Sequence, residues 1–206
     1  MSNLYDVCNA AGGMTAYEWE RDPKRLAFIL ARYQFVARML QGKRRVLEVG
    51  CSDGFGTRLV RQVVGEVTAM DEDAEAIGIA TRSASGEWPI TFIVGRAPHY
   101  RFAVDAFDAV YALDVLEHVE PGAEEAFLGW AGALAPVVIF GTPSFESQAY
   151  ASMLSKEGHV NCKTEVSLRA TLEDHWEHVF LFGMNDTTLH TGFGPMCHYR
   201  FAVCVR

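Results

Sequence analysis

No run in this sequence approaches the roughly 18 or more apolar residues that a bilayer-spanning helix requires. A surplus of positive charge is lacking too: 18 Lys and Arg face 26 Asp and Glu, a formal net charge of −8. General affinity for a nucleic-acid backbone rests on clustered cations, so no nucleic-acid partner is expected. The densest basic run, Lys43-Arg44-Arg45, leads into an apolar stretch and reads as a solvated helix-to-strand connection. Cysteines number five (Cys8, Cys51, Cys162, Cys197 and Cys204), an odd set without CxxC or finger spacing. Neither a disulfide framework nor a zinc module fits that pattern, and the thiols read as reduced, mostly buried and structural. Met1 to Gly13 has neither the basic n-region nor the apolar h-region of a signal peptide. The expectation is a cytoplasmic protein with no membrane partner. What is present is 206 residues, 50% of them hydrophobic, enough for one domain with a sizeable core.

Leu26, Ile29, Leu30, Tyr33, Val36, Ala37 and Leu40 recur at helical spacing after Pro23, predicting a helix from Pro23 to about Leu40 that Gly42 ends. Val46–Val49 reads as a buried strand. Helices follow at about Gly56–Val64 and Asp73–Arg82, and strands at Glu66–Asp71 and Ile90–Val94. The alternation continues with a strand at Phe107–Ala112, a helix at about Ala123–Leu134 and a strand at Val137–Phe140. Ser144–Thr164 reads as irregular or as an inserted helix. A helix at Val166–His175 and strands at His178–Met184 and His198–Val205 complete the pattern. Strands alternating with helices predict a doubly wound, Rossmann-like α/β fold with a mainly parallel seven-stranded sheet. The last two strands lack an intervening helix, so they predict an antiparallel edge hairpin near the C-terminus.

The segment Val46-Leu47-Glu48-Val49-Gly50-Cys51-Ser52-Asp53-Gly54-Phe55-Gly56-Thr57 joins a strand to a helix, where open α/β sheets bind ligands. Gly50, Gly54 and Gly56 let the backbone turn and approach a ligand without Cβ interference. The helix N-terminus behind them offers N–H groups to an anion. Glu48 lies inside an apolar strand and needs a positioned partner. A nicotinamide fingerprint requires glycines at i, i+2 and i+5. From Gly50 the later positions are Ser52 and Phe55, and from Gly54 they are Gly56 and Leu59, so neither register fits. No GKS or GKT follows the turn, which excludes a P-loop.

This pattern resembles motif I of the class I S-adenosylmethionine (SAM) dependent methyltransferases, with Ser52 in place of the middle glycine. The likeness extends in strand-helix order over roughly Arg45 to Thr142. It implies that Glu48, Gly50, Cys51, Ser52 and Gly54 line the cofactor site, and that Asp71 accepts hydrogen bonds from both ribose hydroxyls. Many relatives carry an Asp after the third strand to hold adenine. Here Gly95-Arg96-Ala97 stands instead, so backbone groups near Arg96 and Ala97 are expected to take that role, with the Arg96 side chain in solvent. Tyr111 to Val119 resembles the stretch common in ubiquinone-biosynthesis-type O-methyltransferases, which implies that Ala112, Leu113 and Asp114 border the cofactor and the acceptor.

Asp114, Glu117 and His118 stand at i, i+3 and i+4, close enough to meet on one turn. In some ubiquinone-pathway enzymes the corresponding residues are linked to a divalent ion. The reading favoured here is a hydrogen-bonded scaffold, and no metal ligand is assigned. The resemblance implies methyl transfer from SAM, releasing S-adenosyl-L-homocysteine (SAH), to a small-molecule hydroxyl. A sugar or nucleotide-sugar comes first and a quinone-type phenol second, on the strength of the polar, His-bearing C-terminal hairpin. A hydroxyl acceptor must lose its proton, for which His159 and His190 are the candidate catalytic bases. The alternative is a noncatalytic SAM-binding or partner-binding protein of the same fold. Under the main reading residues 1–206 are one domain: a helical segment at 1–42 with Tyr17–Glu20 as a possible lid, a cofactor half at 45–142, and an acceptor half at 143–206.

Overall fold

The computed structural model describes residues 13–206, gathered into two compact units that divide between Arg96 and Ala97. Cys8 lies outside the described residues. The first unit contains α1 (Gly13–Arg21), α2 (Pro23–Leu40), β1 (Arg45–Val49), α3 (Thr57–Arg61), β2 (Glu66–Asp71), α4 (Ala74–Arg82) and β3 (Thr91–Val94). Its strands pair in the order β3-β2-β1, all parallel, with Glu48 opposite Ala69 and Asp71 opposite Val94.

Helix α2 begins with Pro23 in its first turn, where a missing N–H costs nothing, and turns Tyr33, Val36, Ala37 and Leu40 inward. Gly42 follows with a φ of 82°, a left-handed step that glycine takes without strain. Val46, Leu47 and Val49 of β1 are buried with Val67, Ala69 and Met70 of β2. Burial on both faces explains why these strands read as continuous apolar runs. Helix α4 is capped by Asp73, whose carboxylate accepts from the N–H groups of Glu75 and Ala76.

In the second unit lie β4 (Ala109–Leu113), α5 (Glu124–Leu134), β5 (Val137–Pro143), α6 (Met153–Gly158), α7 (Glu165–Glu173), β6 (His178–Asn185), β7 (Thr188–His190) and β8 (Tyr199–Val205). Strands β4 and β5 are parallel, whereas β5-β8, β8-β6 and β6-β7 are antiparallel. Phe140 packs edge-on against Trp176 at 5.7 Å between ring centroids and lies 6.1 Å from Phe127. These rings, with Leu128, Leu168, Leu172 and Phe201, form the buried core of the unit.

The α/β architecture with parallel strands and an antiparallel C-terminal end agrees with the sequence pattern. Three elements differ. Residues 13–21 form α1, so Tyr17–Glu20 sits within a helix rather than ahead of the first one. The expected helix at Gly56–Val64 is only five residues long. Among the described residues the strands number eight, because Asp186, with a φ of 54°, turns the chain into the three-residue β7. The last two long strands do pair with each other, yet β8 is interior, bonded to β5 on one side and β6 on the other. The edge place falls to β7, and the nearly unbroken burial of β8 follows from its two neighbours.

Candidate active site

In the first unit the loop after β1 folds back over the end of β2. The N–H groups of Gly50 and Cys51 both donate to the Met70 carbonyl, at 2.8 and 3.2 Å. Ser52 N–H donates to Asp71 Oδ2 at 2.8 Å, and Asp73 N–H donates to Asp71 Oδ1 at 2.9 Å. Asp71 is thereby fixed by one backbone donor on each oxygen, and each oxygen keeps a further lone pair for a ligand hydroxyl. Gly50 has a φ of 77°, Ser52 a φ of 48° and Gly54 a φ of 69°, so the loop needs the left-handed region at three positions, one of them filled by a residue with a side chain.

Gly54 and Gly56 also make room for internal packing. A Cβ on Gly56 would meet the Tyr33 ring at 2.2 Å, and one on Gly54 would meet the Phe92 ring at 2.7 Å. The space at Gly56 lets Tyr33 cross toward β1, where its hydroxyl donates to Glu48 Oε1 at 2.8 Å. Glu48 is 1% exposed, and Tyr33 is the positioned partner its burial demanded. Cys51 is buried as well, and burial, aided by the charges of Glu48 and Asp71, pushes its thiol far above the ordinary range. The expected anion-binding helix end is reduced to α3, too short to carry much of a dipole. Gly95 N–H bonds to the Asp71 carbonyl at 2.9 Å, while the exposed Arg96 side chain pairs with Glu72 at 3.2 Å, as its solvent-facing reading anticipated.

Asp53 carries a role the sequence did not reveal. Its carboxylate accepts from Thr15 N–H at 3.0 Å and lies 3.3 Å from Thr15 Oγ1. Thr15 is in the first turn of α1, so Asp53 satisfies an otherwise orphaned helix donor from 38 residues away. Nothing local in the sequence signals that pairing.

In the second unit Ala112 and Leu113 are buried at the end of β4, and Asp114 follows with a φ of 55°. Leu116–His118 form a short 3-10 turn. Glu117, fully buried, accepts at Oε2 from Thr142 Oγ1 at 3.0 Å. The stretch after α6 is clipped to this turn at two points: Asn161 N–H donates to the Glu117 carbonyl at 3.0 Å, and His118 Nδ1 donates to the Gly158 carbonyl at 2.8 Å. His159 thereby comes beside His118, ring centroids 5.0 Å apart, and its Nδ1 lies 2.8 Å from Gln148 Oε1. Glu117, His118 and His159 each present one donor atom within 4.8 Å of the others.

Of the residues singled out in the sequence, Glu48, Gly50, Cys51, Ser52, Gly54 and Asp71 come together around one loop. Glu117 and His118 meet His159, which chain distance had hidden. Asp114 is not in that three-residue set. His190 is placed elsewhere, on β7, with Nε2 3.5 Å from Cys197 Sγ and 3.4 Å from Asn185 Nδ2, and Nδ1 accepting from Gly192 N–H at 3.3 Å.

Residues 46–137 match a family model described as a methyltransferase domain. This segment, a little under half of the chain, is thus similar to a methyltransferase domain. Over 106 residues the chain is 32% identical to the ubiquinone biosynthesis O-methyltransferase of Rhizobium etli, covering 48% of this chain and 42% of that protein. The chain therefore spans less than half the length of the curated relatives it matches. In fold it is similar to the methyltransferase domain of a bacterial Hen1 (TM-score 0.70, 18% identity, 87% of this chain and 100% of that one). It is similar also to the N-methyltransferase NodS of Bradyrhizobium japonicum, solved with SAH (TM-score 0.66, 16% identity, 98% and 97%). At those identities the two structures establish the shared fold, and any chemistry must be argued from the chain's own residues.

Proposed function

We propose that this protein transfers the methyl group of SAM to a hydroxyl oxygen of a small-molecule acceptor, with Glu117, His118 and His159 managing the acceptor oxygen. The observation that carries this reading is the convergence of a buried carboxylate and two imidazoles within 4.8 Å. The sulfonium already activates the methyl group, so the protein's task is alignment, exclusion of water and handling of the acceptor proton. The cofactor is assigned to Gly50, Cys51, Ser52 and Gly54, with Asp71 on the ribose hydroxyls. By resemblance, backbone groups at Arg96 and Ala97 take the adenine, and Ala112, Leu113 and Asp114 border the methyl group. Glu48 supports the loop through Tyr33.

The donor set also fits a divalent cation. Both imidazoles direct Nδ1 at a fixed oxygen, His118 at a backbone carbonyl and His159 at an amide, which leaves the ring lone pair on Nε2. A cation held by Glu117, His118 and His159 would lower the pKa of a coordinated acceptor hydroxyl. Without one, His159 is the base. His190 is the weaker candidate because it is not in the set that Glu117, His118 and His159 form. The named relatives move a quinone-type phenol ahead of a sugar hydroxyl as the acceptor class. We place the activity in the cytoplasm. No described helix is long and apolar enough to cross a membrane.

The test is SAH release from SAM across phenol, sugar and amine panels, with metal-stripped protein and then with added Mg2+ or Mn2+. Turnover of hydroxyl acceptors that is lost in Glu117→Gln is the expected result, and dependence on the added cation selects the metal-assisted form. Tight SAH binding without turnover on any panel would instead favour a noncatalytic SAM-binding protein.

A further inference from the structure

We infer that Gln148 is a positioning residue that sets the tautomer of His159, and with it the nitrogen that His159 offers to the site. The inference rests on the reading of Glu117, His118 and His159 as the group that handles the acceptor oxygen.

An imidazole serves as a ligand or as a base only through its unprotonated nitrogen, and the hydrogen bond at the other nitrogen decides which one that is. His118 is held by the Gly158 carbonyl, a pure acceptor, so Nδ1 carries its proton. At His159 the holder seen at Nδ1 is a side chain, that of Gln148 at 2.8 Å. An amide side chain can present either oxygen or nitrogen, and the neighbours decide. Gln148 Nε2 lies 3.2 Å from the Ser144 carbonyl and 3.4 Å from Ser147 Oγ. The carbonyl can only accept, so the amide nitrogen turns toward Ser144 and Oε1 toward His159.

Ser144 is itself immobilised. It is fully buried, its N–H donates to the His198 carbonyl at 3.0 Å, and its hydroxyl donates to the Cys197 carbonyl at 2.5 Å. The segment just before β8 thus holds Ser144, Ser144 orients Gln148, and Gln148 fixes His159 with its proton on Nδ1. This chain of contacts uses the region between β5 and α7 that the sequence left without a clear structural reading. It gives Glu146–Tyr150, a 3-10 turn, a purpose beyond connection.

Two substitutions separate positioning from structure. Gln148→Met keeps the length of the side chain and removes the acceptor, whereas Gln148→Glu keeps an acceptor for Nδ1–H. The first readout is long-range 1H–15N NMR of the imidazoles in metal-free protein, with His159 assigned by its loss in His159→Gln. The second is Mn2+ binding followed by electron paramagnetic resonance. The expected result is an Nδ1–H tautomer for His159 in the wild type and in Gln148→Glu, and an Nε2–H form in Gln148→Met. Mn2+ affinity should fall by roughly 10–100-fold in Gln148→Met and recover in Gln148→Glu. An unchanged His159 tautomer in Gln148→Met overturns the inference, even if Mn2+ binding weakens. A wild-type protein that ignores Mn2+ removes the cation from the proposed function, while the tautomer result still decides the role of Gln148.

Discussion

Tyr33 shows how much one hydroxyl can hold in place. It reaches 15 residues along the chain to a carboxylate inside β1, and only the missing Cβ of Gly56 lets its ring through. Tyr33→Phe keeps the ring and withdraws a hydrogen bond from a buried acid. A loss of about 1–3 kcal/mol is expected in urea unfolding, and an unchanged midpoint would show that the other contacts of Glu48 suffice. The need for a partner at Glu48 was readable in the sequence, because a carboxylate in an apolar strand is costly alone. The identity of the partner was not, since Tyr33 also fits the apolar stripe of α2. Ser52 has a comparable history. It was readable as a tolerated small residue, but its φ of 48° appears only once the loop is folded. Ser52→Gly should therefore match or exceed wild-type thermal stability, and Ser52→Val should fall below it, because a β-branched side chain is poorly suited to that region.

Among the elements, α1 depends most on a distant residue. Its first turn is held by Asp53, so Asp53→Ala should speed amide hydrogen exchange across Gly13–Arg21 while the amides of β1 and β2 stay protected. Equal protection in the variant would mean that packing alone keeps α1 in place. The helices and strands that the sequence disclosed, such as α2, β2 and α4, carry their own periodicity and caps. Those it missed or misjudged lack such local signals. Helix α1 is capped from afar, β7 has three residues, and the 144–164 stretch is shaped by contacts with Cys197, His198 and the 117–118 turn. The site divides the same way. The glycine loop and Asp71 announce themselves locally, whereas the union of Glu117 and His118 with His159 spans about 40 residues and needs the fold.

For the whole molecule, the cysteines set an upper pH limit on stability. Burial pushes Cys204 up to about 12, and burial with the Glu117 charge pushes Cys162 up to about 11, from an ordinary value of 9.0. A raised folded-state value favours the protonated thiol in the native state. Its stabilising contribution is complete below the unfolded value and is lost as pH rises through the folded one. Thermal stability should therefore decline from about pH 9 toward 12, and the decline should be shallower in Cys204→Ala. A flat profile across that window would sink the claim.

The interior place of β8 has a consequence for synthesis. On the ribosome β5 and β6 emerge before the strand that separates them, so each must wait with an unsatisfied edge. The parallel strands β1, β2 and β3 come from neighbouring stretches of chain and can pair with one another while translation continues. The second unit remains an open template until Val205 has left the exit tunnel. That interval, rather than the finished protein, is when the chain is most exposed to wrong pairing and most in need of a chaperone.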